Sequence, residues 1–595
     1  MILQSLNELY SRLAADPAYE IAPPGFSPQK ISFRLVINPD GSFFGIEDAR
    51  VKNARGKFEP LRLETPLHEK RTSGVKAQFL CDKQEYLLGR QLEGKRESSG
   101  AECFEAFKNL HLGYERSIDA PGYSALCRFL ESWSAEEAKE HSILDQIGTN
   151  FGVIQIRGNR GYLHDDPRIK EWWIGQQLAE PSGIEGQCLV TGITSRICRI
   201  HPDIKGFKSS VALVGIQENT SYESYNRSKT ENCPISTEVA FRYATALTAL
   251  LDGPQKAKHK INISGATVVF WTGTPSLIED CLAGLFARGS RAADEVQDVT
   301  KNQHVQRLLE AVRSGTRFND FGSPDTPFFI LGLEQPNPGR FAIRFFHQST
   351  LADLLGKLHD HQKAFELVRQ FTAENSSSRP DPEFPSIMDI LRQTPPPKGN
   401  WPDEDKIPPL LGGALARSII AGTPYPEGLF SAIIRRIQAD RTINYLRVAT
   451  LKAVLVRNHQ LSIPTMLDTE NTDPAYLLGR LFSALEKTQE DALGNVNAGI
   501  RDRFYSAASA TPASVFPRLL RTYQHHLSKL NGGSKVNRER LVQEIMSSID
   551  AAGFPNQFAL KKQGVFAIGY YHQRKDFFTT KKETAPSTES APDAA

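Results

Sequence analysis

The stretch from Asn375 to Pro409 reads NSSSRPDPEFPSIMDILRQTPPPKGNWPDEDKIPP and separates two kinds of sequence. Proline is too dense here for a continuous helix or a central strand, since each one fixes φ and removes a backbone donor. The segment is expected to join a mixed half to a helical half. The fold class that follows is α+β: a mixed α/β N-terminal half with antiparallel hairpins, followed by an all-α C-terminal helical bundle.

Upstream of the junction, Met1 to Leu13 has the spacing of a short amphipathic helix. Ile31, Phe33, Leu35 and Ile37 then alternate with other residues, and the turn Asn38-Pro39-Asp40-Gly41 leads into Ser42 to Ile46, which predicts a hairpin. Further apolar runs, VIQI at 153 to 156, CLVTGI at 188 to 193, VALVGI at 211 to 216, ATVVFW at 266 to 271 and FFILGL at 328 to 333, are strand candidates. Phe341 to Phe346 follows FFILGL across a Gln-Pro-Asn-Pro-Gly turn, a second hairpin, while Val239 to Leu251 has a helical pattern. No regular β-α-β alternation emerges.

Downstream, Gly428 to Asn458 reads as long helices that carry Arg435, Arg436, Arg441, Arg447, Lys452 and Arg457 against one acid, Asp440, and is expected to form a basic stripe. Asp473 before Pro474 is an N-cap with proline at the first helical position, and Leu478, Leu481, Phe482 and Leu485 follow at helical spacing. Thr511-Pro512 repeats the signal, with an apolar stripe from Val515 to Leu530 and Asn531-Gly532-Gly533 as its expected end. Leu541 to Ile549 makes a further stripe closed by Gly553. With the helix around Ile500 to Ala510 this predicts a bundle of four or five helices, and from Thr579 a disordered tail.

Charge is unevenly placed. Arg501 to Lys582 holds 14 Lys and Arg against 5 Asp and Glu, whereas the 595-residue chain nets only +3. A concentrated cationic field points to a polyanion partner. The length implies two to four domains, and 40% hydrophobic with 23% charged is ordinary for a globular protein. No apolar run approaches a membrane span, so a cytoplasmic setting is expected. The seven cysteines contain no C-x-x-C pair and read as reduced, buried small hydrophobes.

The common phosphate-loop, dinucleotide, serine-hydrolase and zincin signatures are absent. Two clusters, His164-Asp165 and His359-Asp360-His361, leave open a metal-dependent phosphohydrolase or nuclease, though solvated loop or helix-end residues are the plainer reading. Gly206 to Ser210, GFKSS, lacks the glycine pattern that cradles phosphate and reads as a basic turn. Trp172-Trp173 could stack bases, but core and rim positions are the plainer reading. From Lys52 to Arg96, 11 cations face 6 acids, and Lys70-Arg71-Thr72-Ser73-Gly74-Val75-Lys76-Ala77-Gln78 is a cationic loop whose Thr, Ser and Gln can bond base edges, although a solvated hairpin loop is the plainer reading of these residues alone.

Several longer strings carry a resemblance: MILQSLNELYSRLAADPAYEIAPPGFSPQKISFRLVINPDG at the start, GQCLVTGITSRICRIHPDIKG at 186 to 206, KIPPLLGGALARSIIAGTPYPEGLF at 406 to 430 and DPAYLLGRLFSALEKTQ at 473 to 489. In order along nearly the whole chain, they are similar to the large subunit (Cas-eight-c, Csd-one family) of the subtype I-C CRISPR Cascade surveillance complex. The resemblance implies a non-catalytic subunit without a cofactor. Its expected roles are to check the protospacer-adjacent motif on double-stranded DNA, assist R-loop formation, hold the displaced strand and recruit the helicase-nuclease in antiviral defence. Implied partners are CRISPR RNA-bound backbone subunits, target DNA, a small subunit and the helicase-nuclease, with no membrane. A nuclease using the His-Asp clusters and a free-standing RNA-binding scaffold remain the alternatives.

Carried onto this chain, the resemblance makes Lys70, Arg71 and Lys76 phosphate contacts of the adjacent-motif duplex, with Thr72, Ser73 and Gln78 near base edges. The family pattern P-N-F-L-W-D-N appears as Ala77-Gln78-Phe79-Leu80-Cys81-Asp82-Lys83, which puts the fine motif preference in question. A second segment, A-S-L-V-S-F-N, appears as Val211 to Gln217 and adds Lys205, Lys208, Gln217 and Asn219. The non-target strand is assigned Arg518, Arg521, Lys529, Arg538, Lys561, Lys562, Arg574 and Lys575. Met466 is a candidate internal start for a separate small subunit. The implied domains are 1–130, 131–374, a junction at 375–409, a helical domain 410–465, a small-subunit-like bundle 466–578 and a tail 579–595.

Overall fold

The structure, a computed structural model, describes residues 1–52, 56–68, 71, 74–90, 98–147, 151–179, 184–216, 227, 229–263, 266–287, 299–314, 318–372, 380–399, 401–494, 498–549 and 553–578. The tail expected from Thr579 lies outside them. Two compact units divide the chain, one made of Met1–Ile204 with Ser210–Ala249, the other of Lys205–Ser209 with Leu250–Ala595. The α+β class holds, with sheets in the N-terminal half and, among the described residues, helices alone from Pro409 onward.

In the first unit the helix Ile2–Ala14 precedes a five-stranded sheet whose centre is Phe26–Ile37. That strand pairs antiparallel with Phe43–Asp48 through its second half and with Leu61–Pro66 through its first, and parallel with Phe151–Ile156 on its other side. Ile31, Phe33, Leu35 and Ile37 are fully buried, as their alternation predicts. The turn closes because the Asp40 carboxylate accepts from Ser42 N and Oγ, while Gly41 adopts a φ of 96°. Cys81–Lys83 adds the edge strand beside Phe151–Ile156. Gly152 is required there, since a Cβ would sit 2.3 Å from the Phe33 ring.

CLVTGI at 188 to 193 is a turn and not a strand. The strands are Glu185–Gln187 and Thr194–Arg196 on either side, with Gly192 at a φ of 73° and the Cys188 sulfur accepting from Ser236 N at 3.3 Å. Of VALVGI only Val211–Ala212 is a strand, paired with Asp203–Ile204. Both runs are β-rich in composition but are interrupted by glycine, which frees the chain to turn.

The second unit begins with an antiparallel sheet in chain order, Lys260–Ile263, Ala266–Thr272, Pro327–Asn337 and Arg340–Thr350. Val268, Phe270, Phe328 and Ile330 face a helical core, while Phe329 stacks on both Trp271 and Phe346. The described part of the proline-rich junction holds the short helix Ile387–Leu391 and a two-residue hairpin. Helices Pro409–Ala421, Glu427–Asp440 and Tyr445–His459 follow, then five more: Pro474–Leu493, Ile500–Ala510, Pro512–Leu527, Gly532–Ser547 and Leu560–Asp576.

Pro474–Leu493 starts as predicted, with Asp473 accepting from Ala475 N. Every side chain from Ala475 to Glu486 is buried, so this is the central helix of the unit. Leu560–Asp576 closes over it at a glycine crossing: a Cβ on Gly479 would lie 2.1 Å from Phe566 O, and one on Gly569 would lie 2.2 Å from Tyr476 O. The same closing helix brings Gly564 against Phe430 and Leu455, so helices before and after Met466 share one core. Met466 is itself exposed. Asn531-Gly532-Gly533 does not end the preceding helix, which stops at Leu527; Asn531 caps the next one and the glycines form its first turn. No helix among the described residues is long and apolar enough to cross a membrane.

Candidate nucleic-acid interface

Arg71, Lys76 and Gln78 belong to the first unit, where the segment leading into the edge strand Cys81–Lys83 is pinned at its far end. Phe79 stacks on Trp173 at 4.6 Å, and the Trp173 indole donates to Gly25 O at 2.6 Å. Leu80 sits at a φ of 54° and donates its amide to His111 Nε2 at 3.1 Å. His111 Nδ1 in turn donates to Phe107 O at 2.8 Å, which fixes a neutral tautomer, and burial lowers its pKa to about 4. Trp173 is thus a core residue.

The near end is held by Asp82. Its side chain is wholly enclosed, pairs with the Arg71 guanidinium, and accepts from Gln78 N at 2.8 Å and Lys83 N at 2.7 Å. Burial pushes the carboxyl up to about 6, with Arg71 and the two amides opposing it. Arg71 also donates through Nε to Lys76 O at 2.6 Å and lies 3.9 Å over the Tyr86 ring. Gly74, Val75 and Lys76 are exposed, while Gln78 is only 5% exposed. Lys76 therefore stands on the surface and Gln78 beneath it. Lys70, Thr72, Ser73, Gln217 and Asn219 lie outside the described residues.

Lys205 and Lys208 belong to the second unit. Ser209 N donates to Gln335 Oε1 at 3.3 Å, Gln335 Nε2 returns a bond to Ser209 O at 2.9 Å, and Phe207 packs 4.9 Å from Phe341. The 205–209 segment is stapled to the hairpin Pro327–Asn337 and Arg340–Thr350, with Lys208 exposed.

The C-terminal cations separate into two groups. Arg538 pairs with Asp491 at 3.0 Å, Arg574 grips both oxygens of Glu490 at 2.8 Å, and Lys562 pairs with Asp473 at 2.7 Å. These acids lie on or cap the central helix, and residues 466–578 together hold 14 Lys and Arg against 11 Asp and Glu. Lys561 and Lys575 are half-buried. Arg518, Arg521, His525 and Lys529, by contrast, are all exposed and spaced three or four apart along one side of Pro512–Leu527 and its continuation, opposite the buried Val515, Phe516, Leu519 and Tyr523. Arg518 lies 5.3 Å over Phe504, and the neighbouring Arg503, which the charge count alone did not single out, is exposed too.

The basic run Arg435 to Arg457 is largely internal. Arg436 and Arg447 share Asp440, Lys452 donates to Glu366 O at 2.7 Å with 3% exposure, and Arg457 donates to Ser418 O while lying 4.2 Å over Tyr425. The histidine clusters are occupied in the same way. His164 Nε2 donates to Glu64 O at 3.0 Å, His359 Nδ1 to Val312 O at 2.6 Å, and His361 bonds Tyr425 Oη at 2.7 Å. Among the described residues no group of three or more His, Cys, Asp or Glu could hold a metal ion.

A family model described as CRISPR-associated protein (Cas_Csd1) matches residues 6–578. The chain belongs to the Cas_Csd1 family. No curated protein matches it. Membership makes this Cas_Csd1 chain a CRISPR-associated Cascade large subunit. The match runs through both units, from the first helix to the end of the closing helix, and so takes in the pinned segment at 71–82 and the exposed arginine side of Pro512–Leu527.

The neutral His111 that holds Leu80 gives the pinned segment a pH dependence. Its folded pKa, about 4, lies below the unfolded value of 6.5, so it contributes stability above about pH 6.5 that is lost as pH falls toward 4. By pH 5 the loss is about 2 kcal/mol, at 1.36 kcal/mol per unit. His111→Asn, melted thermally beside the wild type at pH 7.5 and pH 5, is expected to lose less stability across that interval. The other buried histidines are common to both chains, so equal losses would contradict the assignment.

Proposed function

We propose that this Cas_Csd1 chain is the non-catalytic large subunit of a type I-C guide-RNA-directed surveillance complex. In this reading it checks the adjacent motif in double-stranded DNA, assists R-loop formation, holds the displaced strand and recruits the helicase-nuclease. Guide pairing reads most of the target, so the subunit needs phosphate contacts and a short stretch of base readout, not a catalytic centre. The family match over residues 6–578 is the observation that carries the reading. Lys76 supplies a phosphate contact for the duplex, and Arg518, Arg521 and Lys529 supply a track for a strand of arbitrary sequence. Arg538, Lys562 and Arg574 hold the bundle together and reach nucleic acid only secondarily. A separate product from Met466 would expose the face of the closing helix that here covers Phe430 and Leu455.

The test is duplex binding by the reconstituted guide-RNA complex carrying Lys76→Ala or Gln78→Ala, with the adjacent motif intact or scrambled. Lys76→Ala is expected to weaken binding of both duplexes by a similar factor, and Gln78→Ala to narrow the difference between them by about tenfold. Unchanged affinity and unchanged discrimination in both variants would remove the duplex from this surface.

A further inference from the structure

The geometry points to Asp82 as the positioning residue that sets which duplex flank the 74–78 turn accepts, acting through Arg71 and Gln78 without touching nucleic acid; this rests on the duplex-contact reading above. Asp82 is completely enclosed, yet it gathers the Arg71 guanidinium, Gln78 N and Lys83 N onto one carboxylate. One of its bonds therefore fixes the backbone of the residue carrying the candidate base-reading amide. Through Arg71 it also fixes Lys76, because Arg71 Nε donates to Lys76 O. Lys76, which faces the duplex in this reading, and Gln78 beneath it are thus set in register by a residue that faces the core.

Arg71 changes role accordingly. Its guanidinium has the Asp82 carboxylate, the Lys76 carbonyl and the Tyr86 ring around it. A phosphate could take it only by leaving the enclosed Asp82 charge without its ion-pair partner, which a buried site resists. Arg71 acts on the turn from within, and Lys76 is the member of the pair that meets phosphate. The planar fork matters here, since it serves carboxylate, carbonyl and ring together, and lysine cannot.

The experiment uses the reconstituted guide-RNA complex with Asp82→Ala, Asp82→Asn, Arg71→Ala, Arg71→Lys and Lys76→Ala. The probe is a guide-matched duplex whose flank beside the matched segment is randomised, read as flank enrichment and as the log–log salt slope of binding. Asp82→Ala and Arg71→Ala are expected to flatten flank enrichment by about tenfold while leaving the slope unchanged. Asp82→Asn, which keeps an acceptor for Gln78 N, recovers part of the preference. Lys76→Ala lowers the slope by about 0.9. Hydrogen exchange of the peptide holding Gln78 quickens in Asp82→Ala while the 151–156 strand stays protected; should that variant unfold the unit, Arg71→Lys carries the test with a partial loss of preference. A slope lowered by Arg71→Ala with flank preference intact would make Arg71 a phosphate contact and overturn the proposal. Preference retained in Asp82→Ala, with Lys76→Ala still lowering the slope, would overturn it while the duplex reading stands. No effect of any variant, Lys76→Ala included, would overturn the duplex reading itself.

Discussion

Gly479→Ala is expected to destabilise the second unit by about 2 kcal/mol, although alanine is the better helix former. The added Cβ would stand 2.1 Å from Phe566 O and 2.7 Å from Tyr570 N, both backbone atoms of the closing helix, so neither can swing away as a side-chain tip would. Overpacking a close helix crossing costs roughly 1–3 kcal/mol or more, against about 1 kcal/mol that alanine returns in helix propensity. Gly356, inside the helix Leu351–Phe365, is the control, because a Cβ there meets nothing within 4 Å. The same substitution at Gly356 should stabilise by about 0.5–1 kcal/mol. Urea titrations followed by far-ultraviolet circular dichroism would compare the two. Equal midpoints for both variants would mean that the crossing can relax and that the glycine contact does not hold the bundle.

Replacing Arg518, Arg521 and Lys529 together with alanine should lower the salt slope for single-stranded DNA by about two, since each phosphate neutralised on a single strand contributes roughly 0.7. The affinity ratio between wild type and variant would then shrink roughly twentyfold between about 50 and 200 mM salt. Arg538→Ala and Arg574→Ala serve as the contrast. Each removes one cation, as each member of the exposed row does, but their partners are Asp491 and Glu490, so they are expected to lower the melting temperature and leave the slope nearly unchanged. Anisotropy titrations at several salt concentrations read both effects. A slope that falls as much for Arg574→Ala as for a member of the exposed row would mean that the strand follows total charge and not this side of the helix.

The difference between those two groups shows where the sequence is legible. Local signals were sound: Asp473-Pro474 starts a helix, the Asn38 to Gly41 turn closes a hairpin, and FFILGL pairs with the strand after it. Each depends on residues within a few positions of one another. Arg574 and Glu490 are 84 residues apart, and Arg71 and Asp82 meet only because the sheet encloses the latter. A count of charge along the chain cannot register such pairings. The basic run at 435 to 457 fails for the same reason, since its cations are matched by carbonyls and by Asp440. CLVTGI misled differently, because β-rich composition outweighed Gly192, whose left-handed φ makes the turn. Arg518 and Arg521 were visible because helical spacing sets them opposite an apolar stripe.

The enclosure of the central helix has a consequence for how the second unit assembles. Leu560 comes 67 residues after Leu493, and three helices lie between the central helix and the one that closes over Gly479. The chain-ordering entropy of that long loop is lost before any of the burial is gained, which places the docking of Leu560–Asp576 late and makes it cooperative. Until it arrives, Leu478, Leu481, Phe482 and Leu485 lack the cover that buries them completely in the finished fold. The order of synthesis thus runs against the order of packing: the helix at the centre is made before the one that seals it, and the interval between them is when this protein is most exposed to wrong partners.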